Sequence, residues 1–198
     1  MAKRRKVSNP LALAVLAELT IEPMHPYEMG RRLKEQGKDR NIKYNRSSLY
    51  MVVEQLRKAG FVAEQETVRD TQRPERTVYA LTEEGTAELG DWMRELVAEP
   101  QHEYPAFGVA LCLLAALPIE ESAQLLARRL EALDARIHAS RAMLHEVGGM
   151  DVHPMFVVEE DYALALLEAE RRYTEHLIGQ LREPEFTRTL QEFLRRME

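Results

Sequence analysis

Between Lys43 and Lys58 the chain reads KYNRSSLYMVVEQLRK, a run in which hydroxyls, aromatics and cations recur at helical spacing. At about 100° per residue, a helix over Arg46–Ala59 gathers Leu49, Val52, Val53 and Leu56 on one narrow arc and turns Ser47, Met51, Glu54 and Lys58 the other way. One arc packs and the other meets solvent. Small hydroxyls at Ser47 and Ser48, the aromatic Tyr50, and cations at both ends (Lys43, Arg46, Arg57, Lys58) suit a helix lying in a DNA major groove, where short polar groups reach base edges and cations meet phosphates. Glu54 is expected to mark the part of the helix that leaves the duplex.

The elements around this helix must hold it in place. Val62 to Val68 alternates apolar and polar residues and Val78 to Leu81 repeats the pattern, while the intervening RDTQRPER carries Arg69, Arg73 and Arg76 around Pro74. A charged two-stranded hairpin after such a helix is the layout of a wing, whose arginines would touch neighbouring phosphates; an ordinary solvated hairpin is the alternative. Upstream, Pro10 to about Thr20 and Pro26 to about Gln36 read as helices, with proline in the first turn of each and Gly37 just past the second. Leu13, Leu16, Tyr27, Met29 or Gly30, and Leu33 are expected to share a small core with Leu49 and Leu56. Three helices and a wing make a complete domain.

Charge is segregated. Residues 1–80 hold 16 of the 27 Lys+Arg but only 10 of the 33 Asp+Glu, so an acidic chain of net charge −6 has a basic front half. Local cations, not the sum over the chain, govern binding to a polyanion. Lys3, Arg4, Arg5 and Lys6 precede the first helix and read as a flexible basic arm.

From Thr82 the pattern becomes helical throughout. Thr82, Glu83 and Glu84 form a cap for a helix whose Leu89, Trp92, Met93 and Leu96 make an apolar stripe before Pro100. QHEYP then reads as a hinge, placing a boundary between a domain over residues 1–99 and another over 100–198. Ala106 to Leu117 is almost wholly apolar and is expected in a core or an interface, with Cys112 as a buried structural thiol. Ala123, Leu126, Leu130, Leu133, Ile137, Ser140, Leu144 and Val147 alternate spacings of three and four, the seam of a coiled coil or helical hairpin. A later helix offers Tyr162, Leu166, Ala169, Tyr173 and Leu177, and a terminal one Leu190, Phe193, Leu194 and Met197. These stripes suit self-association, although an intramolecular hairpin would also satisfy them.

Other function classes find little support. The sequence has no phosphate-cradling glycine loop, no GxSxG and no HExxH, and its six histidines show no metal-ligand spacing with the single cysteine, so an enzyme, a cofactor or a metal is not expected. No apolar run approaches the roughly 20 residues of a membrane span, which predicts a cytoplasmic protein. A helical adaptor using its winged domain to bind protein is the main rival to a DNA reader.

The segments HPYEMGRRL, SSLYMVVEQLRKAGFV, RTVYALTEEG and EYPAFGVALCLLAAL together resemble the PadR family of transcriptional regulators, in its larger form, over nearly the whole chain. The resemblance implies a mainly α fold with a small β-hairpin: an N-terminal winged helix-turn-helix domain followed by an all-helical dimerisation domain. It further implies a homodimeric repressor on an inverted-repeat operator in double-stranded DNA, released by a small aromatic effector. Expected DNA contacts are Lys43, Tyr44, Arg46, Ser47, Ser48, Tyr50 and Met51, with Arg69, Arg73 and Arg76 on phosphates. Trp92 and Tyr104 are where an effector pocket would be lined. The family usually has glycine near Ser47 or Ser48 and proline after the tyrosine, where this chain has Met51.

Overall fold

A computed structural model describes residues 5–68 and 76–196, which form two compact units dividing between His102 and Glu103. In the first unit, α1 (Pro10–Leu19), α2 (Pro26–Glu35) and α3 (Arg46–Ala59) precede β1 (Val62–Val68), β2 (Arg76–Leu81) and α4 (Glu83–Ala98). The cap predicted at Thr82 is made, its hydroxyl accepting from the Gly85 amide, and the Asn9 side chain caps α1 by accepting from the Leu11 amide. Gly60, at φ 84°, ends α3 in the left-handed conformation that glycine adopts without strain.

Leu11, Val15, Leu16, Met29, Leu33, Leu49, Val52, Val53 and Leu56 fill one core and are nearly inaccessible to solvent. Burial of each large aliphatic chain contributes about 2 kcal/mol, which is why the inward arc of α3 fixes its orientation. Tyr27, expected in this core, is instead 56% exposed, because Met29 and Leu33 already occupy the inner face of α2. The strands pair antiparallel, Val62 opposite Leu81 and Val68 opposite Arg76, with a register shift between Glu64 and Glu66. The second strand thus begins two residues earlier than the alternation predicts. Met24 adds a bridge to Tyr79, exchanging backbone hydrogen bonds of 3.0 and 3.1 Å.

The basic arm needs the largest correction. Arg5 is not a free cation: its side chain is 5% exposed, bonded to Glu88 at 2.6 Å and to Glu95, both on α4. Lys6 lies over the Phe61 ring, and Val7 is buried. Positions 88, 92 and 95 of α4 share one face, so the strap crosses that helix where Trp92 is buried. Of the rest of the expected α4 stripe, Leu89 packs partly against the core, whereas Met93 and Leu96 are each more than 40% exposed. Lys3 and Arg4 lie outside the described residues.

In the second unit α5 (Ala106–Cys112) is followed by α6 (Ile119–Gly148), α7 (Val158–Arg182) and α8 (Pro184–Arg195). Long helices α6 and α7 form an antiparallel hairpin, tied by Arg129 to Glu170, Arg171 to Asp134 and Arg141 to Glu168. Ala123, Leu126, Leu133, Ile137 and Ser140 bury the predicted seam of α6, where Leu177, Ile178 and Leu181 of α7 complete the apolar cluster around Ala123 and Leu126. The seam is therefore satisfied inside the chain.

The predicted α7 stripe is split: its Leu177 is buried against α6, whereas Tyr162, Leu166 and Tyr173 are about half exposed or more. Within Ala106 to Leu117, Phe107, Leu111 and Leu114 pack partly against the apolar cluster of the second unit, whereas Val109 and Leu113 are more than half exposed and Cys112 is an exposed thiol rather than a buried one. Among the described residues no helix is long and apolar enough to cross a membrane, and no cluster of three or more His, Cys, Asp or Glu could hold a metal ion.

Candidate nucleic-acid interface

The start of α3 is built by a reciprocal cap. The Asn45 side chain accepts from the Ser48 amide at 2.8 Å, and the Ser48 hydroxyl accepts from the Asn45 amide at 2.8 Å. Ser48 is therefore engaged by backbone, whereas Ser47, one position earlier, is exposed. Tyr44 is similarly drawn inward: its hydroxyl donates to the Gly30 carbonyl at 2.9 Å, and burial, then the charge of Asp39, raises its pKa. Both residues build the helix entry.

Lys43, Arg46, Ser47, Tyr50 and Met51 stand together on the outer face. The Arg46 guanidinium lies 5.9 Å from the Tyr50 ring centre, and the ring of His25, the N-cap of α2, meets that ring edge-on with centroids 5.9 Å apart. Tyr50 is thereby held between α2 and α3 while 36% exposed. Beside it runs a groove of about 350 Å³ walled by Tyr27, Tyr44 and Tyr50, with Arg31, Lys34 and Arg46 at its edge. Sequence reasoning left Tyr27, Arg31 and Lys34 out of this surface. Their signal was the i, i+4, i+7 spacing on α2, opposite the buried Met29 and Leu33.

Farther along α3 the electrostatics change. Arg57 donates two hydrogen bonds of 2.8 Å to Glu54, and Lys58 lies 3.5 Å from the same carboxylate. Hydrogen bonding from Arg57 holds the Glu54 carboxyl down to about 2, so the acid is ionised and Arg57 is internally neutralised. The two cations assigned to phosphates at this end are thus both paired with Glu54, which lowers the positive charge there, while no carboxylate of α3 lies near Arg46 in its first turn. Of the wing arginines, Arg69 and Arg73 lie outside the described residues; Arg76 pairs through its backbone with Val68.

Residues 13–91 match the model of the transcriptional regulator PadR-like family. The first unit carries a PadR-like domain. The match runs from α1 through the hairpin and into α4, the segment that supplies the exposed face of α3. Bacillus subtilis PadR in complex with operator DNA superposes with a TM-score of 0.70 at 18% identity, covering 87% of this chain and 99% of that one. The same protein in complex with p-coumaric acid gives 0.69 at 18% identity and the same coverage. A PadR-like transcriptional regulator from Bacillus cereus gives 0.59 at 16% identity, covering 91% of this chain and 99% of that one. At these identities the likeness establishes the fold, a winged helix with a helical C-terminal region. No curated protein matches in sequence.

PadR-like proteins are transcriptional regulators rather than enzymes. Within this chain, Trp92 and Tyr104 have different settings. Trp92 is 6% exposed in the core of the first unit, with Arg5 across its ring, whereas Tyr104 belongs to the second unit and is 86% exposed. The Trp92 ring is already covered by protein.

Proposed function

We propose that this chain represses transcription as a homodimer that reads an inverted-repeat operator in double-stranded DNA, with one α3 in the major groove of each half-site. The observation that carries the reading is the first two turns of α3, where Arg46, Ser47, Tyr50 and Met51 are exposed together on a helix whose opposite arc is buried. Ser47 and Met51 face the bases, Lys43 and Arg46 the phosphates, and the wing arginines Arg69, Arg73 and Arg76 extend the backbone contact. Two uncovered apolar faces support self-association through the second unit: Val109 and Leu113 on and after α5, and Tyr162, Leu166 and Tyr173 on α7. A small aromatic effector is proposed by analogy with the p-coumaric acid complex of Bacillus subtilis PadR.

Fluorescence anisotropy of the chain against its own upstream duplex and a scrambled duplex, at two salt concentrations, tests the reading. Expected is a preference for the upstream duplex that survives higher salt, lost in Ser47→Ala or Met51→Ala and uniformly weakened in Arg46→Ala. Equal binding of both duplexes that vanishes with salt would reduce the face to nonspecific electrostatics.

A further inference from the structure

Glu18 lies on α1 in the middle of the first core and is completely buried. Its Oε1 accepts a hydrogen bond from Lys38 Nζ at 2.8 Å, while Oε2 is buried with no donor among the described residues. Replacing such a carboxylate with an aliphatic chain would relieve desolvation, so the charge contributes little to net stability. Its partner explains its use. Lys38 opens the 3₁₀ turn Lys38–Arg40 that joins α2 to α3, and its carbonyl accepts from the amides of Asn41 and Ile42 at 3.2 and 3.0 Å. The same residue is thus tied to α1 through its ammonium and to the entry of α3 through its carbonyl.

We propose that Glu18 is a positioning residue for the DNA-reading helix: through Lys38 it anchors the turn between α2 and α3 and so sets the approach of Lys43 and Arg46 to the duplex. An apolar contact permits sliding, whereas a hydrogen bond to a buried oxygen is directional and holds the turn at one point. Ile42, packed against the core beyond the turn, completes the tether. The inference rests on the proposed DNA-facing role of α3.

The test is the paired replacement Glu18→Leu with Lys38→Met, which leaves no orphaned charge, alongside Glu18→Gln, which keeps the side-chain shape. Hydrogen exchange read by NMR at the amides of Arg40, Asn41 and Ile42 is compared with that at Val52 and Val53, and duplex affinity is measured at one salt concentration. Expected in the paired variant is a melting temperature at or above that of the parent, about tenfold faster exchange confined to 40–42, and about tenfold weaker DNA binding. Glu18→Gln is expected to move exchange and affinity the same way by less, and it serves alone if the paired variant does not fold. Unchanged exchange at 40–42, or faster exchange with unchanged affinity, would overturn the assignment. If the parent chain binds no DNA, the underlying reading of α3 fails instead, a result separate from the exchange data, and the positioning role falls with it.

Discussion

The guanidinium of Arg5 lies 5.3 Å from the centre of the Trp92 ring, bonded on either side to Glu88 and Glu95 one turn before and one turn after that tryptophan. Burial works against the charge on Arg5, but the hydrogen bonds it donates to Glu88 and Glu95, with their charges, outweigh it, so its pKa is raised. Arg5→Ala leaves two largely buried carboxylates without their cation and uncovers the indole. A destabilisation of about 3 kcal/mol is expected, read by denaturant unfolding, together with a red shift of Trp92 emission. Because Arg5 does not face DNA in this arrangement, the salt dependence of duplex binding should be unchanged; a flatter slope would return it to the interface.

Gly85 admits no side chain. A Cβ there would fall 2.0 Å from the Phe61 carbonyl oxygen and 2.8 Å from Leu81 Cδ1, where the hairpin meets the first turn of α4. Gly85→Ala is expected to destabilise the first unit by about 3 kcal/mol, since backbone must move to relieve the contact. Thermal unfolding followed by far-UV circular dichroism measures it, and a melting temperature equal to that of the parent would show that the hairpin shifts freely.

Glu54 restrains the charge of α3. Glu54→Gln releases Arg57 and Lys58, so affinity for every duplex should rise at low salt and the salt slope should steepen by about one. Acid has a related effect on stability. The folded carboxyl titrates at about 2, below its ordinary 4.5, so its contribution is present above pH 4.5 and declines as pH falls toward 2. A parent-minus-variant melting difference that shrinks over that window, and is flat from pH 5 to 7, is the expected profile.

Leu166 sits in the outward stripe of α7 between Tyr162 and Tyr173. If that stripe joins two copies, Leu166→Glu should give monomers in sedimentation velocity at concentrations where the parent is a dimer, with helix content unchanged. A dimer that survives would move the interface elsewhere, with the exposed face around Val109 and Leu113 the next to test.

Local physics was legible in the chain before any fold was known. The bounds and inner arc of α3 followed from the spacing of Leu49, Val52, Val53 and Leu56, and the cap at Thr82 from short-range hydrogen bonding. The exposed half of the candidate site was legible for the same reason: once the apolar arc is buried, Ser47 and Met51 have only one direction left. Less visible was which polar groups the backbone would claim. Ser48 and Tyr44 look like readers by residue type, yet one closes a cap and the other bonds Gly30 across the α2–α3 angle.

Contacts between distant residues obey no period. Arg5 meets partners 83 and 90 positions away, and Glu18 meets one 20 away, so a basic run and a lone acid in an apolar helix carry no mark of their partners. The same holds for which part of an apolar stripe is buried. The α7 stripe is written in its residues, but only the docking of α6 settles that its Leu177 is covered while Tyr162 and Leu166 remain open. Periodicity specifies which residues share a face, because that is a property of one helix; which face is buried depends on the surface that meets it, and that surface exists only when the chain has folded.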